Sequence, residues 1–286
     1  MLFFLLLFLP SLSCRGVAIG GTAVERPTIE QQTVEGKGDL RVCFLEDNLP
    51  LSFRKENKGF DLDTAKAVAE VLNRTLVPVW VKNSTQILEI EESDFPLRRL
   101  SKNECDAIFS VPGVEAIKDA PKAAIGEPYY GAAFELVGRE GSGLSNLNSV
   151  GENPVAVQAQ TVANFVLRAR KAKMRTFFSV ETALEGVEKG EATAALVWGP
   201  SAGWYLHNHP ETQLSLATGY EPPAAVRWNE HVATRKSDTE LREKIDVALA
   251  QLREKGALKL LLERYGIPAH SPFATTYSVA EMQRLQ

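Results

Sequence analysis

The residues whose types and spacing could do chemistry are few. Asp61, Asp106 and Glu115 are the carboxylates placed for acid–base work if a cleft opens beside them. Asp61 and Asp106 also sit where a helix start and a strand start would use an acid anyway. There is no cysteine with a histidine close in sequence, and no glycine loop of the phosphate-cradling kind. His207 and His209 are two apart, which puts them on different faces of a helix and disfavours a shared metal. The acidic run Glu89, Glu91, Glu92, Asp94 lacks the glycine and alternating oxygen ligands of a calcium loop and reads as a solvated face. We therefore assign no catalytic residue and no metal site. The most informative stretch is Ala194-Ala195-Leu196-Val197-Trp198-Gly199-Pro200, followed by Ser201 to Tyr205. It reads as a buried strand, a turn at Gly-Pro and a helix. Open α/β sheets bind ligands beyond the carboxyl ends of their strands, so Trp198 would offer a flat ring to a cleft. The alternative is that Trp198 and Trp204 pack the two halves of the protein together.

These positions depend on the elements that carry them. Residues 39–46 form a strand rich in apolar and β-branched side chains. Leu62, Ala65, Val68, Ala69 and Leu72 recur on one face of a helix that starts at residues 59–63. Strands follow at 75–81 and 105–111, with a short helix at 95–101 between them. The β-α-β-α-β order predicts a parallel sheet with right-handed crossovers. A strand at 132–139 is a candidate crossing. A second unit follows: strands at 155–159, 175–180, 193–198 and 213–218, and helices at 162–172, 182–189 and 201–207. A returning strand at 228–235 leads to helical residues 239–265, broken at Gly256, with Ile245, Val247, Leu249, Leu252, Leu258 and Leu261 as core candidates. The expected fold is α/β, two-lobed and of the type II periplasmic binding-protein class, with two crossings between lobes. Residues 38–132 with 227–270 make one lobe, 133–226 the other, and 271–286 a tail. Two lobes define a cleft, a preferred place for small ligands, and hinge closure is the expected motion. The cleft would be lined by Asn48, Phe53, Phe60, Pro112, Tyr129, Gln158, Gln160, Thr161, Trp198 and Tyr205, which suit a flat or uncharged ligand, a partner's loop, or no ligand.

Composition sets the boundaries. The chain has 286 residues, 24% charged, with a formal net charge of −4, so it carries no basic footprint for nucleic acid. Residues 2–12 are almost wholly apolar, too short for a membrane-spanning helix and similar to the core of a secretion signal; residues 1–14 are read as that signal and 15–37 as a tether. Cys14 is a weak candidate for lipidation. Export implies an oxidising compartment, where Cys43 and Cys105 can pair. If the first sheet has the common order 2-1-3, their strands are neighbours, which favours a disulfide over two buried thiols.

The order of elements, with GFDLDTAKAVAEVLN, CDAIFSVP and GEPYYGAAFELVGR, resembles the family 3 extracytoplasmic solute-binding proteins over residues 38–267. In that family, amino-acid binders generally place an Arg after the third strand for the ligand carboxylate and an Asp at a second-lobe strand end for the amino group. Here those positions fall at Asp119, beside Lys118, and at Trp198. A carboxylate cannot replace a bidentate guanidinium, and indole offers an ammonium only its ring face. Amino-acid binding is disfavoured. RVCFLEDNLPLSF, ECDAIFSVP and LVWGPSAGWY are more similar to the branch associated with quinoprotein alcohol dehydrogenases, the MoxJ/XoxJ type of methanol-oxidation accessory proteins. Leu51 stands where that branch usually has Phe, and Ser110 where it usually has Gly. The resemblance implies a periplasmic, non-enzymatic accessory or maturation role, with a dehydrogenase and its cytochrome c as partners; lipidation at Cys14 would anchor the chain as a lipoprotein. Pyrroloquinoline quinone and calcium or a lanthanide would belong to that partner. The alternatives are a receptor for a small non-amino-acid solute, working with an ABC permease, and a cleft lyase or hydrolase.

Overall fold

The computed structural model describes residues 38–82, 95–276 and 281. The expected signal, tether, Cys14 and the acidic run at 89–94 lie outside the described residues, as does nearly all of 277–286. In chain order the first half contains β1 (Asp39–Leu45), a small hairpin of β2 (Asp47–Asn48) and β3 (Ser52–Phe53), α1 (Phe60–Val71), β4 (Thr75–Val81), α2 (Pro96–Ser101), β5 (Ala107–Val111) and β6 (Ala123–Ile125). The second half contains β7 (Tyr130–Arg139), β8 (Val155–Gln158), α3 (Val162–Ala169), β9 (Met174–Phe177), α4 (Val180–Glu188), β10 (Ala194–Trp198), α5 (Gly199–Asn208) and β11 (Leu214–Leu216). The chain then returns through β12 (Arg227–Arg235) to α6 (Thr239–Glu254) and α7 (Ala257–Arg264). Among the described residues no helix is long and apolar enough to cross a membrane.

One sheet runs through both halves in the order β4-β1-β5-β12-β7-β10-β8-β9, with β6 and β11 attached at the side. β4-β1-β5 is the 2-1-3 order, and both pairings are parallel. It brings Cys43 and Cys105 together, with Cα atoms 5.7 Å apart and the sulfurs bonded. The bridge spans 62 residues, which in the chain-entropy account is worth about 4 kcal/mol.

Local sequence explains most elements. On α1, Phe60, Leu62, Ala65, Val68 and Ala69 are buried, and with them the polar Asp61 and Thr64, while Glu70 is exposed. Gly59 precedes it at φ 137°, and a Cβ there would strike the Leu51 carbonyl, so only glycine lets this helix start against the hairpin. Gly256, left-handed at φ 74°, separates α6 from α7. The apolar stripe of α6 is Ile245, Ala248, Leu249 and Leu252. Val247, expected in the core, is 57% exposed because it falls off that stripe. Gly199 and Pro200 are not a break: they are the first residues of α5, where a missing proline N–H costs nothing. Trp198 therefore sits directly at a strand-to-helix junction.

Candidate functional site

The two halves meet at an antiparallel ribbon of β7 and β12, in which Tyr130 faces Glu230, Gly131 faces Asn229, Ala132 faces Trp228 and Ala133 faces Arg227. Alternation along a strand gives the ribbon two faces. One carries Tyr130, Trp228 and Glu230, the other Gly131, Arg227 and Asn229.

On the first face lies a buried polar network. Asp61, at the start of α1, accepts a hydrogen bond from Ser110 Oγ (2.6 Å) and a longer one from the Tyr129 hydroxyl (3.4 Å). Ser110 holds a left-handed φ of 50°, its backbone N–H donates to the Tyr129 hydroxyl, and its Oγ is 3.2 Å from the Tyr130 hydroxyl. That backbone explains why glycine suits this position; the serine adds a hydroxyl that glycine lacks. Glu230 accepts from Trp228 Nε1 at 3.0 Å, while its Oε2 is buried with no hydrogen-bond partner. Burial pushes the Asp61 carboxyl up to about 7, against the bonds from Ser110 and Tyr129. Burial, reinforced by the nearby Asp61, lifts Glu230 to about 8. With Asp61 and Glu230 only 6% and 3% exposed, neither is presented to a ligand.

Asp106 is also committed. Burial raises its carboxyl, but hydrogen bonds from Arg41 (2.6 Å) and Arg235 (2.9 Å) outweigh this and hold it below the usual range. Glu115 is exposed on a 3-10 turn after β5. Asp119 is exposed and lines a hollow with Phe95, Ala116 and Lys122. His209 stacks on Tyr205 at 4.2 Å between ring centroids, and His207 lies 6.4 Å from the Trp204 ring. Among the described residues no group of three His, Cys, Asp or Glu could hold a metal.

The expected cleft residues do not form one surface. Phe60 and Tyr129 are buried and join the network, Phe60 packing edge-on to Tyr130 at 5.1 Å. Tyr205 is buried in the core of the second half, beside Val180, Ala183 and Leu214. Trp198 is half-buried and stacks on Trp228, with Phe134 5.7 Å away. Asn48 and Phe53 are half-buried in the β2–β3 hairpin, and Pro112 is exposed after β5. Gln158, Gln160 and Thr161 gather at the end of β8: Thr161 caps α3, Gln158 donates to the Phe178 carbonyl (3.1 Å), and Gln160 is exposed at φ 59°.

Five positions went unnoticed in the sequence as site residues. Ser110, Tyr130, Trp228 and Glu230 complete the network. Trp228 and Glu230 are two apart in a strand, hence on one face, which was the available signal. Phe178, 96% exposed just past β9, is the fifth; with Val114, 67% exposed past β5, it presents apolar surface near the carboxyl ends of parallel strands.

Residues 40–268 match the profile of the bacterial extracellular solute-binding proteins, family 3. The chain belongs to that family. It is similar to Protein MoxJ of Methylorubrum extorquens, 23% identical over 264 residues that cover 81% of each chain. Among solved structures, the L-cystine solute receptor of Neisseria gonorrhoeae in its unliganded open conformation superposes with a TM-score of 0.67 at 20% identity, covering 82% of this chain and 94% of that one. MxaJ from Methlophaga aminisulfidivorans MPT superposes at 0.59 and 23% identity, covering 80% and 99%. The family 3 fold is the two-lobed type II arrangement, and in the sheet of this chain β7 and β12 are the paired strands between the β4-β1-β5 side and the β10-β8-β9 side. The position expected to carry the acid of family 3 amino-acid binders is filled here by an indole ring already stacked on another.

Proposed function

We propose that this chain is an exported, non-enzymatic binding protein that serves the maturation or activation of a periplasmic quinoprotein alcohol dehydrogenase of the methanol-oxidising kind. The observation that carries the reading is the Trp198–Trp228 stack: the strand end that would hold an amino-acid ammonium is filled by two indoles, and the position for a carboxylate-binding arginine is Asp119. The likeness to MoxJ supports the same reading. The carboxylates of the network are sequestered and Asp106 is tied to two arginines, so of the three carboxylates considered for acid–base work only Glu115 is accessible, which argues against a lyase or hydrolase that would use them. The partner would bring its own pyrroloquinoline quinone and calcium or lanthanide, and its cytochrome c; this chain would contribute surface. Phe178 and Val114, with Gln158 and Gln160, are the surface we assign to that contact.

Affinity-tagged protein should copurify with the dehydrogenase from a methanol-oxidising periplasm, and Phe178→Ser should abolish capture without lowering Tm. Capture of an ABC permease instead would favour the second reading, a transport receptor for a small non-amino-acid solute, which family 3 membership keeps open. Strong thermal stabilisation by free amino acids would count against both readings.

A further inference from the structure

The second face of the β7–β12 ribbon is covered by the chain's own continuation past the family 3 match, which ends at residue 268. The Gly131 N–H donates to the His270 carbonyl at 2.9 Å, and His270 Nε2 lies 2.7 Å from Glu135 Oε1 on the same strand. Asn229 on β12 makes a two-point clamp: its Nδ2 donates to the Phe273 carbonyl (3.0 Å) and its Oδ1 accepts from the Phe273 N–H (2.7 Å). Arg227 donates to the carbonyl and hydroxyl of Thr275 at 3.1 and 3.0 Å, and its guanidinium lies 4.8 Å over the Phe273 ring. A Cβ on Gly131 would come within 2.6 Å of that ring, so the glycine admits the strap.

Register makes this coherent. Gly131, Ala133 and Glu135 share a face with their partners Asn229 and Arg227, and that is the face the strap touches. The strap starts where the lobes already meet. Just before it, Gly266 lies backbone to backbone against Gly203 of α5, and Trp204 packs on Tyr265 at 6.0 Å between centroids. Tyr265 in turn donates to Asp63 at 2.8 Å and accepts from the Gly59 N–H, both at the start of α1.

We propose that residues 269–275 are a clasp that fixes the angle between the lobes, so that the protein works as a pre-set scaffold and does not close on a ligand. A bend in the joining strands must change their backbone torsions. The clasp spans both strands, so such a bend breaks its bonds to Gly131 and Glu135 on β7 and to Asn229 and Arg227 on β12. The proposal does not depend on the identity of the partner.

The test uses the full chain carrying Cys14→Ser, with spin labels at Glu56→Cys and Glu152→Cys, one in each lobe, and reads the distance distribution by pulsed electron resonance. The parent should give one narrow distance, and Arg227→Ala/Asn229→Ala a broad or shifted one. Hydrogen exchange of the Gly131 amide should accelerate at least tenfold in the same variant. If that variant misfolds, Phe273→Leu, which keeps the backbone bonds and loosens the stack, should broaden the distribution partially. A broad distribution in the parent, or variants indistinguishable from it by both measurements, overturns the clasp.

Discussion

Trp198 and Trp228 stack face to face, their ring centroids 4.9 Å apart and their planes 11° from parallel. One ends β10 of the second lobe and the other lies in the joining strand β12, so the contact connects the second lobe to the joining strand. Trp198 also packs against core clusters on both sides. Truncation by Trp198→Ala should cost about 3 kcal/mol, read by urea denaturation. Trp198→Asp should not create amino-acid affinity, because no arginine stands at position 119 to hold the carboxylate; calorimetry with arginine, glutamate and glutamine would check this.

Stability should fall as pH rises from about 5 to 9. The sign follows from Asp61 and Glu230, whose folded values of about 7 and about 8 lie above ordinary carboxylates. A raised acid binds more protons folded than unfolded, so its favourable share is complete below the unfolded pKa and is lost as pH climbs through the folded one. Glu230→Gln should flatten the alkaline limb of a Tm–pH curve, and an unchanged limb would sink the assignment.

Ser110 tests a balance between backbone and side chain. Ser110→Ala keeps the left-handed strain and removes the hydroxyl from Asp61, for a loss of about 1–3 kcal/mol. Ser110→Gly relieves the strain while losing the same bond, so it should be the more stable variant of the two. The reverse order in chemical denaturation would mean that relief of the left-handed strain does not separate the two variants.

Replacing both Cys43 and Cys105 by Ala should lower stability by about 4 kcal/mol, since a closed loop of 62 residues is released. Reduction of the native protein should be slow, because both sulfurs lie in a packed cluster with Val81, Leu100 and Ile108.

Strong periodicities made the fold legible. The α1 stripe and the β1 run read directly from the sequence; the 2-1-3 order entered as the common arrangement of such a unit, and the cysteine pair rested on it. The candidate site was less legible, because burial depends on which faces meet. Phe60, Tyr129 and Tyr205 have the types of cleft residues, yet tertiary packing places them inside. Val247 shows the same limit on a helix, where one position off the stripe is solvent. The tail carried no periodicity, since apart from one backbone bond to Gly131 its partners are side chains of β7 and β12 and not a regular ladder; only the structure brings Asn229 to Phe273.

Gly203 and Gly266 touch through bare backbone. Neither can take a methyl group unless its neighbour retreats. That makes the contact a built-in wedge point: an alanine placed there should prise the lobes apart by steric volume and load the clasp that begins just beyond it. Graded residues at position 203 would thus tune the aperture like a set screw.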